Sequence, residues 1–163
     1  MGVFHVYFHA ANAEAAMQAK VMGPLVAFTT VESKLADPHV ALGHLVALVA
    51  EIAWSPDLVG VTVISPSPAT EPKSEEAFAK LPEDSPWRTG PWLQELSVRA
   101  RDILADVDAS RRAGLAAQWG RSDEFRRIPE EEKNFLAYLV LEFSNLAKEA
   151  RQVGDRIYCW TSL

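Results

Sequence analysis

Cysteine occurs once in the chain, at Cys159, so no internal disulfide can form and the sequence suits a reducing compartment. Long apolar runs are missing too, since none reaches the roughly 18 residues a membrane span requires. The start, Met1-Gly2-Val3-Phe4-His5, has neither the basic region nor the apolar core of a signal peptide, and Val6 stands where a myristoylation signal has Ser or Thr. A cytoplasmic protein with no membrane partner is expected. Arginine is absent from residues 1–87, which hold four lysines against ten acidic residues, a balance of −6. The whole chain also carries −6, which argues against nucleic acid as a partner because phosphate affinity depends on Lys and Arg. There is no G-x-S-x-G elbow, no glycine-rich phosphate loop and no His or Cys cluster with metal spacing, so no catalytic residue, metal or cofactor is expected. Repeats, heptad seams and low-complexity tracts are likewise absent.

What is present is enough for one domain with its own core: 163 residues, 48% hydrophobic and 23% charged. The clearest stretch is the last third. Pro129 suits a first helical position and Glu130, Glu131 and Glu132 place negative charge at the positive end of a helix dipole. From Phe135 an apolar stripe runs through Leu139, Phe143, Leu146, Ala150 and Val153, and Gly154 can close the helix in the left-handed conformation. The spacing predicts a helix of roughly 25 residues, about 37 Å long. Behind it Arg156 to Thr161 alternates as a strand, with Ile157, Cys159 and Thr161 on one side and Tyr158 and Trp160 on the other.

Upstream, Val3 to His9 reads as a strand with Phe4, Val6 and Phe8 on one face and His5, Tyr7 and His9 on the other. Asn12 caps a helix over 13–21, and the β-branched content of Leu25 to Val31 predicts a second strand. Asp37-Pro38 opens a helix over His39 to Trp54 that is apolar nearly all round, and the continuous apolar run Val59 to Ser65 predicts a central strand. Six of the ten prolines lie in an excursion over 66–91, around a short helix capped by Ser74. Helices over Pro91 to Val107 and Ser110 to Trp119 follow. The sum is a single α+β domain: a small mixed sheet packed against several helices, with a long late helix followed by a last strand.

The Met-Gly start leading into a strand, the segment from Trp92 through Glu95 and Leu96 read as helix, the following helix with Leu115 and Trp119, and the closing helix-Gly-strand together resemble the YfbM-like family of small bacterial proteins. The resemblance covers residues 1–10 and about 89–163. It implies an α+β fold and carries over no catalytic residue.

Three stretches look chemical. The first is the face of His5, Tyr7 and His9, which Tyr158 and Trp160 would join as a ligand-pocket wall if the first and last strands are neighbours. His5 and His9 themselves lie roughly 13 Å apart along a strand, too far to share a metal. The second is Trp87, Arg88 and Trp92, residue types that dominate binding hot spots, set beside a segment that holds eight arginines and no lysine over 88–127. The third is Cys159, expected on the buried side and inert. His39 and His44, five apart, do not share a helix face. The expected function is a non-enzymatic interaction module, immunity-type or otherwise accessory, that binds a protein partner through Trp87, Arg88 and Trp92. The alternative is a small-molecule-binding protein or enzyme with its pocket on the sheet face. A homodimer through the apolar helix 39–54 is a further possibility.

Overall fold

A computed structural model describes residues 2–163. Five strands form one sheet: β1 (Phe4–Ala10), β2 (Val31–Ser33), β3 (Thr62–Ser65), β4 (Trp92–Glu95) and β5 (Arg156–Ser162). Their order is β2-β1-β5-β4-β3 and every pairing is antiparallel, so the sheet is of one kind where a mixed one was expected. The fold is a single α+β domain. Among the described residues no helix is long and apolar enough to cross a membrane.

The helices follow from local chemistry. Asn12 caps α1 (Ala13–Ala16) by accepting from the Ala15 N–H, and α2 (Gln18–Met22) ends at Gly23, whose φ of 81° lets the chain turn into α3 (Pro24–Ala27). The Asp37 carboxylate accepts from the N–H groups of His39, Val40 and Ala41, and so starts α4 (Ala41–Ala50). Ser74 caps α5 (Glu75–Ala79), Ser85 caps α6 (Pro86–Thr89) and Ser97 caps α7 (Val98–Ala105). Then come α8 (Arg112–Trp119) and α9 (Asn134–Val153), the latter twenty residues and about 30 Å long, closed by Gly154 at φ 77°.

Alternation along the strands gives the sheet two unlike faces. On one, Tyr7, Val31, Ile157 and Cys159 are covered by α4, α7, α8 and α9 in the main core. On the other, Phe8, Ala10, Leu93 and Tyr158 pack under α1 and α2 in a smaller core. The main core centres on aromatic edges: Phe143 of α9 meets the Tyr7 ring at 4.9 Å and the Trp119 ring at 6.5 Å, and Trp119 meets Phe125 at 5.1 Å. The polar tips of these rings are satisfied inside. Tyr7 donates to the Ala36 carbonyl at 2.6 Å and Trp119 donates to the Ala41 carbonyl at 2.8 Å.

Several expectations are corrected. Leu25 to Val31 is not a strand, because Pro24 starts α3 there and pairing begins only at Val31. Val59 to Ser65 is not central: β3 is an edge strand, and the apolar run arises because Leu58 and Val59 are buried in the turn before it. The helix over Pro91 to Val107 is divided. Its first part is β4, bonded on both sides by β3 and β5, and only the part after Ser97 is helical. The helix 39–54 ends at Ala50, where Glu51 turns left-handed at φ 55°, and Trp54 folds back onto His44 and Gly43. Seven of the ten residues of α4 are buried within the monomer, so most of its apolar surface is used inside the fold.

Phe143 is 1% exposed and bridges the sheet and α8. Phe143→Ala is expected to lower unfolding free energy by about 3–5 kcal/mol in chemical denaturation. A loss below about 1 kcal/mol would mean that the aromatic cluster is not where the core is held.

Candidate functional site

One end of the helix-covered face is left open. Across it, the register sets His5 of β1 opposite Thr161 of β5, and Thr161 opposite Trp92 of β4. One step along, Gln94 pairs with Cys159 on one side and Val63 on the other. Alternation puts all of these on the side of α4 and α9. These helices bury Tyr7, Ile157 and Cys159 but leave the row of His5, Thr161 and Trp92 to line a cavity of about 330 Å³. Its walls are completed by Asp37, Pro38 and His39, at the entrance to α4, and by Trp87 from α6.

The rim is held by bonds that the strand and cap chemistry dictate. Ser33 accepts from the N–H groups of Leu35 and Ala36, Tyr7 donates to Ala36, and Asp37 caps α4, so residues 33–41 form a fixed turn over the sheet. The His5 Nδ1 lies 3.0 Å from the Thr161 hydroxyl, and Gln94 Nε2 lies 3.1 Å from His39 Nε2. Trp87 donates its indole N–H to Thr70 Oγ1 at 3.0 Å, which ties α6 to the start of the proline-rich excursion.

Electrostatically the cleft is close to neutral. No Lys or Arg lines it, and the charge of Asp37 faces the positive end of α4. Burial holds the His5 imidazole below its usual value; the Asp37 charge opposes that shift and His39 adds to it. His5 is therefore neutral at pH 7. Burial pushes the Cys159 thiol up to about 12, and the residue is 0% exposed, so it is no nucleophile. Among the described residues no group of three or more His, Cys, Asp or Glu is arranged to hold a metal.

The residues singled out in the sequence divide among five places. His5, Trp87 and Trp92 meet in the cleft. Tyr7, between His5 and His9 in sequence, is buried under α9. His9 sits toward the far end of the same face, 2.6 Å from Asp155, with Glu149 at 3.8 Å. Tyr158 and Trp160 pair with Phe8 and Val6, which puts them on the opposite face; Tyr158 there donates to Glu95 at 2.8 Å. The five-residue wall of His5, Tyr7, His9, Tyr158 and Trp160 therefore does not form. Arg88 is engaged within the chain. Its guanidinium donates to the carbonyls of Phe78 and Ala79, at 3.0 and 2.7 Å, and lies over the Phe78 ring, which closes α5.

Gln94, Thr161, Asp37 and His39 complete the site without having been singled out for it. Gln94 was hidden by the helical reading of 91–107. Asp37 was legible only as a helix cap.

With its folded value depressed, His5 binds fewer protons in the folded chain than in the unfolded one below about pH 6.5, where the unfolded ring titrates. Its contribution to stability is present above that pH and is lost as pH falls through the folded value. Denaturation measured from pH 7 to 5 should show falling stability, with a shallower slope in His5→Gln; an unchanged slope would remove His5 as its source. Comparison of the chain with protein-family models, curated proteins and solved structures finds no significant match.

Proposed function

We propose that the protein is a binding protein, not a catalyst, and that it receives a small molecule in the cleft between Trp87, Trp92 and His5. The observation that carries this reading is convergence. Residues from β1, the 37–39 turn, α6, β4 and β5 meet around one cavity of about 330 Å³. A concave, largely apolar site with a few fixed polar groups is what ligand binding requires. Binding is favoured over catalysis because the thiol beside the site is buried and protonated, and Thr161 is spent on His5. The single reduced cysteine supports a cytoplasmic location. Membership of the YfbM-like family is proposed on the closing helix-glycine-strand, since the Trp92 to Glu95 segment is strand and not helix.

A screen of neutral small molecules by amide and indole NMR tests this. Ligands should shift the indole N–H signals of Trp87 and Trp92 while leaving Trp119, and Trp92→Ala should weaken them at least tenfold, a loss of about 1.4 kcal/mol. Binders that act elsewhere, or that ignore Trp92→Ala, would refute the cleft as the site.

The interaction reading has a different surface in its favour. Around Gly23, Val21 and Val26 are 79% and 72% exposed, and Met22 and Leu25 stand out beside them. Leu25 and Val26 line a cavity of about 310 Å³ with Phe4, Val6, Pro24 and Trp160 and no charged residue. In a chain of net charge −6, an uncharged apolar patch is where two copies can meet without repulsion, so the occupant proposed is a second copy across a two-fold axis. Sedimentation equilibrium should show a dimer that Val26→Glu turns into a folded monomer. A wild-type monomer at about 100 μM, a concentration at which even a weak contact of about −5.5 kcal/mol is half-formed, would remove this reading.

A further inference from the structure

The polar groups of the cleft have fixed directions, and those directions select a class of ligand. A neutral imidazole has one donor and one acceptor nitrogen. The Cys159 thiol, which keeps its proton, lies 3.6 Å from Thr161 Oγ1, and Thr161 lies 3.0 Å from His5 Nδ1. Of the two directions these contacts allow, the one that gives the Thr161 hydrogen to the stronger acceptor, His5 Nδ1, has the thiol donating weakly to Thr161. The ring proton then sits on Nε2, which has no hydrogen bond to the protein among the described residues. On β4, Gln94 gives an amide hydrogen to His39 Nε2, which leaves Oε1 as an acceptor. Asp37 adds no free acceptor of weight, since both of its oxygens already take backbone N–H groups.

We infer that the cleft binds a neutral aromatic carboxamide or lactam, whose carbonyl accepts from His5 Nε2, whose N–H donates to Gln94 Oε1, and whose ring lies against Trp87 and Trp92. This rests on the cleft being a ligand site. The two indoles supply apolar faces, and the donor and acceptor match the two ends of an amide edge. A carboxylate finds no cation to replace its hydration and meets the Gln94 oxygen as a like partner. An ammonium ion finds one carboxylate, already committed to a helix N-terminus. A plain hydrocarbon ring leaves both polar groups without partners, which is the costly arrangement.

Three probes on one ring decide the matter: benzamide, benzoate and benzylamine, each titrated into the full chain at pH 7.5 and read from the indole N–H signals. Benzamide should bind at least about tenfold more tightly than either charged probe, and Gln94→Met, which keeps the volume and loses the acceptor, should weaken it about tenfold. An unchanged Trp119 signal confirms that the variant is folded. Equal or tighter binding of benzoate or benzylamine, or full benzamide affinity in Gln94→Met, overturns the amide assignment and leaves the cleft as a ligand site. Silence from all three probes also overturns it. If the wider screen of neutral molecules does move Trp87 and Trp92, only the ligand class is wrong; if that screen is silent too, the ligand-site reading fails with it.

Discussion

The position of β5 in the middle of the sheet is the constraint on which everything else depends. It pairs along its whole length with β1 and along four residues with β4, so it holds the two halves of the sheet together. Its own placement is set by α9, which ends at Gly154 and turns directly into it. The Asp155 N–H bonds back to the Ala150 carbonyl at 2.8 Å, and the His9 ring holds the Asp155 carboxylate at 2.6 Å. Helix, turn and strand are thus one rigid piece. Because strand alternation has a period of two, a slip of one residue in β5 would exchange Ile157, Cys159 and Thr161 for Tyr158 and Trp160 and break both cores at once.

That register also makes the cleft. The row His5, Thr161, Trp92 lies beyond the reach of the helices that cover Tyr7 and Cys159, so the same face is core for most of its length and open at one end. The difference is made by Asp37. Its carboxylate fixes the start of α4, and with Pro38 it forms one wall of the open end. Trp87 closes the other side from a segment with no place in either core. The proline-rich excursion therefore has a structural reason: it carries an indole over the sheet end, with Arg88 closing α5 and Thr70 holding the indole N–H.

Much of the architecture was legible because local signals and burial agreed. The α9 stripe, the Gly154 stop and the β5 alternation all appear at the expected residues, as do the caps at Asn12, Asp37 and Ser74. The misreading of Trp92 to Glu95 has a non-local cause. Trp92 to Glu95 has Leu93 and Leu96 at helical spacing from the residues that follow, yet becomes strand because β3 and β5 flank it; a pairing partner more than 60 residues away is invisible to local periodicity. With β4 read as helix, Gln94 does not stand beside Cys159, and nothing connects Trp92 to His5. The site residues then form two unrelated sets. Their union needed the strand order, which spacing does not encode.

The cleft is shaped from the core side, and this distinguishes it from a surface recess. His5 is 6% exposed, and its orientation is set through Thr161, whose hydroxyl is in turn placed by the β5 backbone beside Cys159. In the proposed site a ligand would meet an imidazole whose orientation is set by packing before binding. Gln94 is pre-set in the same way by His39, from the turn that Asp37 and Ser33 hold. Groups fixed in advance lose little entropy on binding and discriminate sharply, because a ligand with the wrong donor pattern cannot rotate them into agreement. On the proposed reading the buried Cys159 thiol would act on recognition through Thr161 and His5, without itself lining the cleft. If the cleft is a ligand site, a change of specificity would come as readily from Cys159, behind the lining, as from Thr161 or the indoles within it.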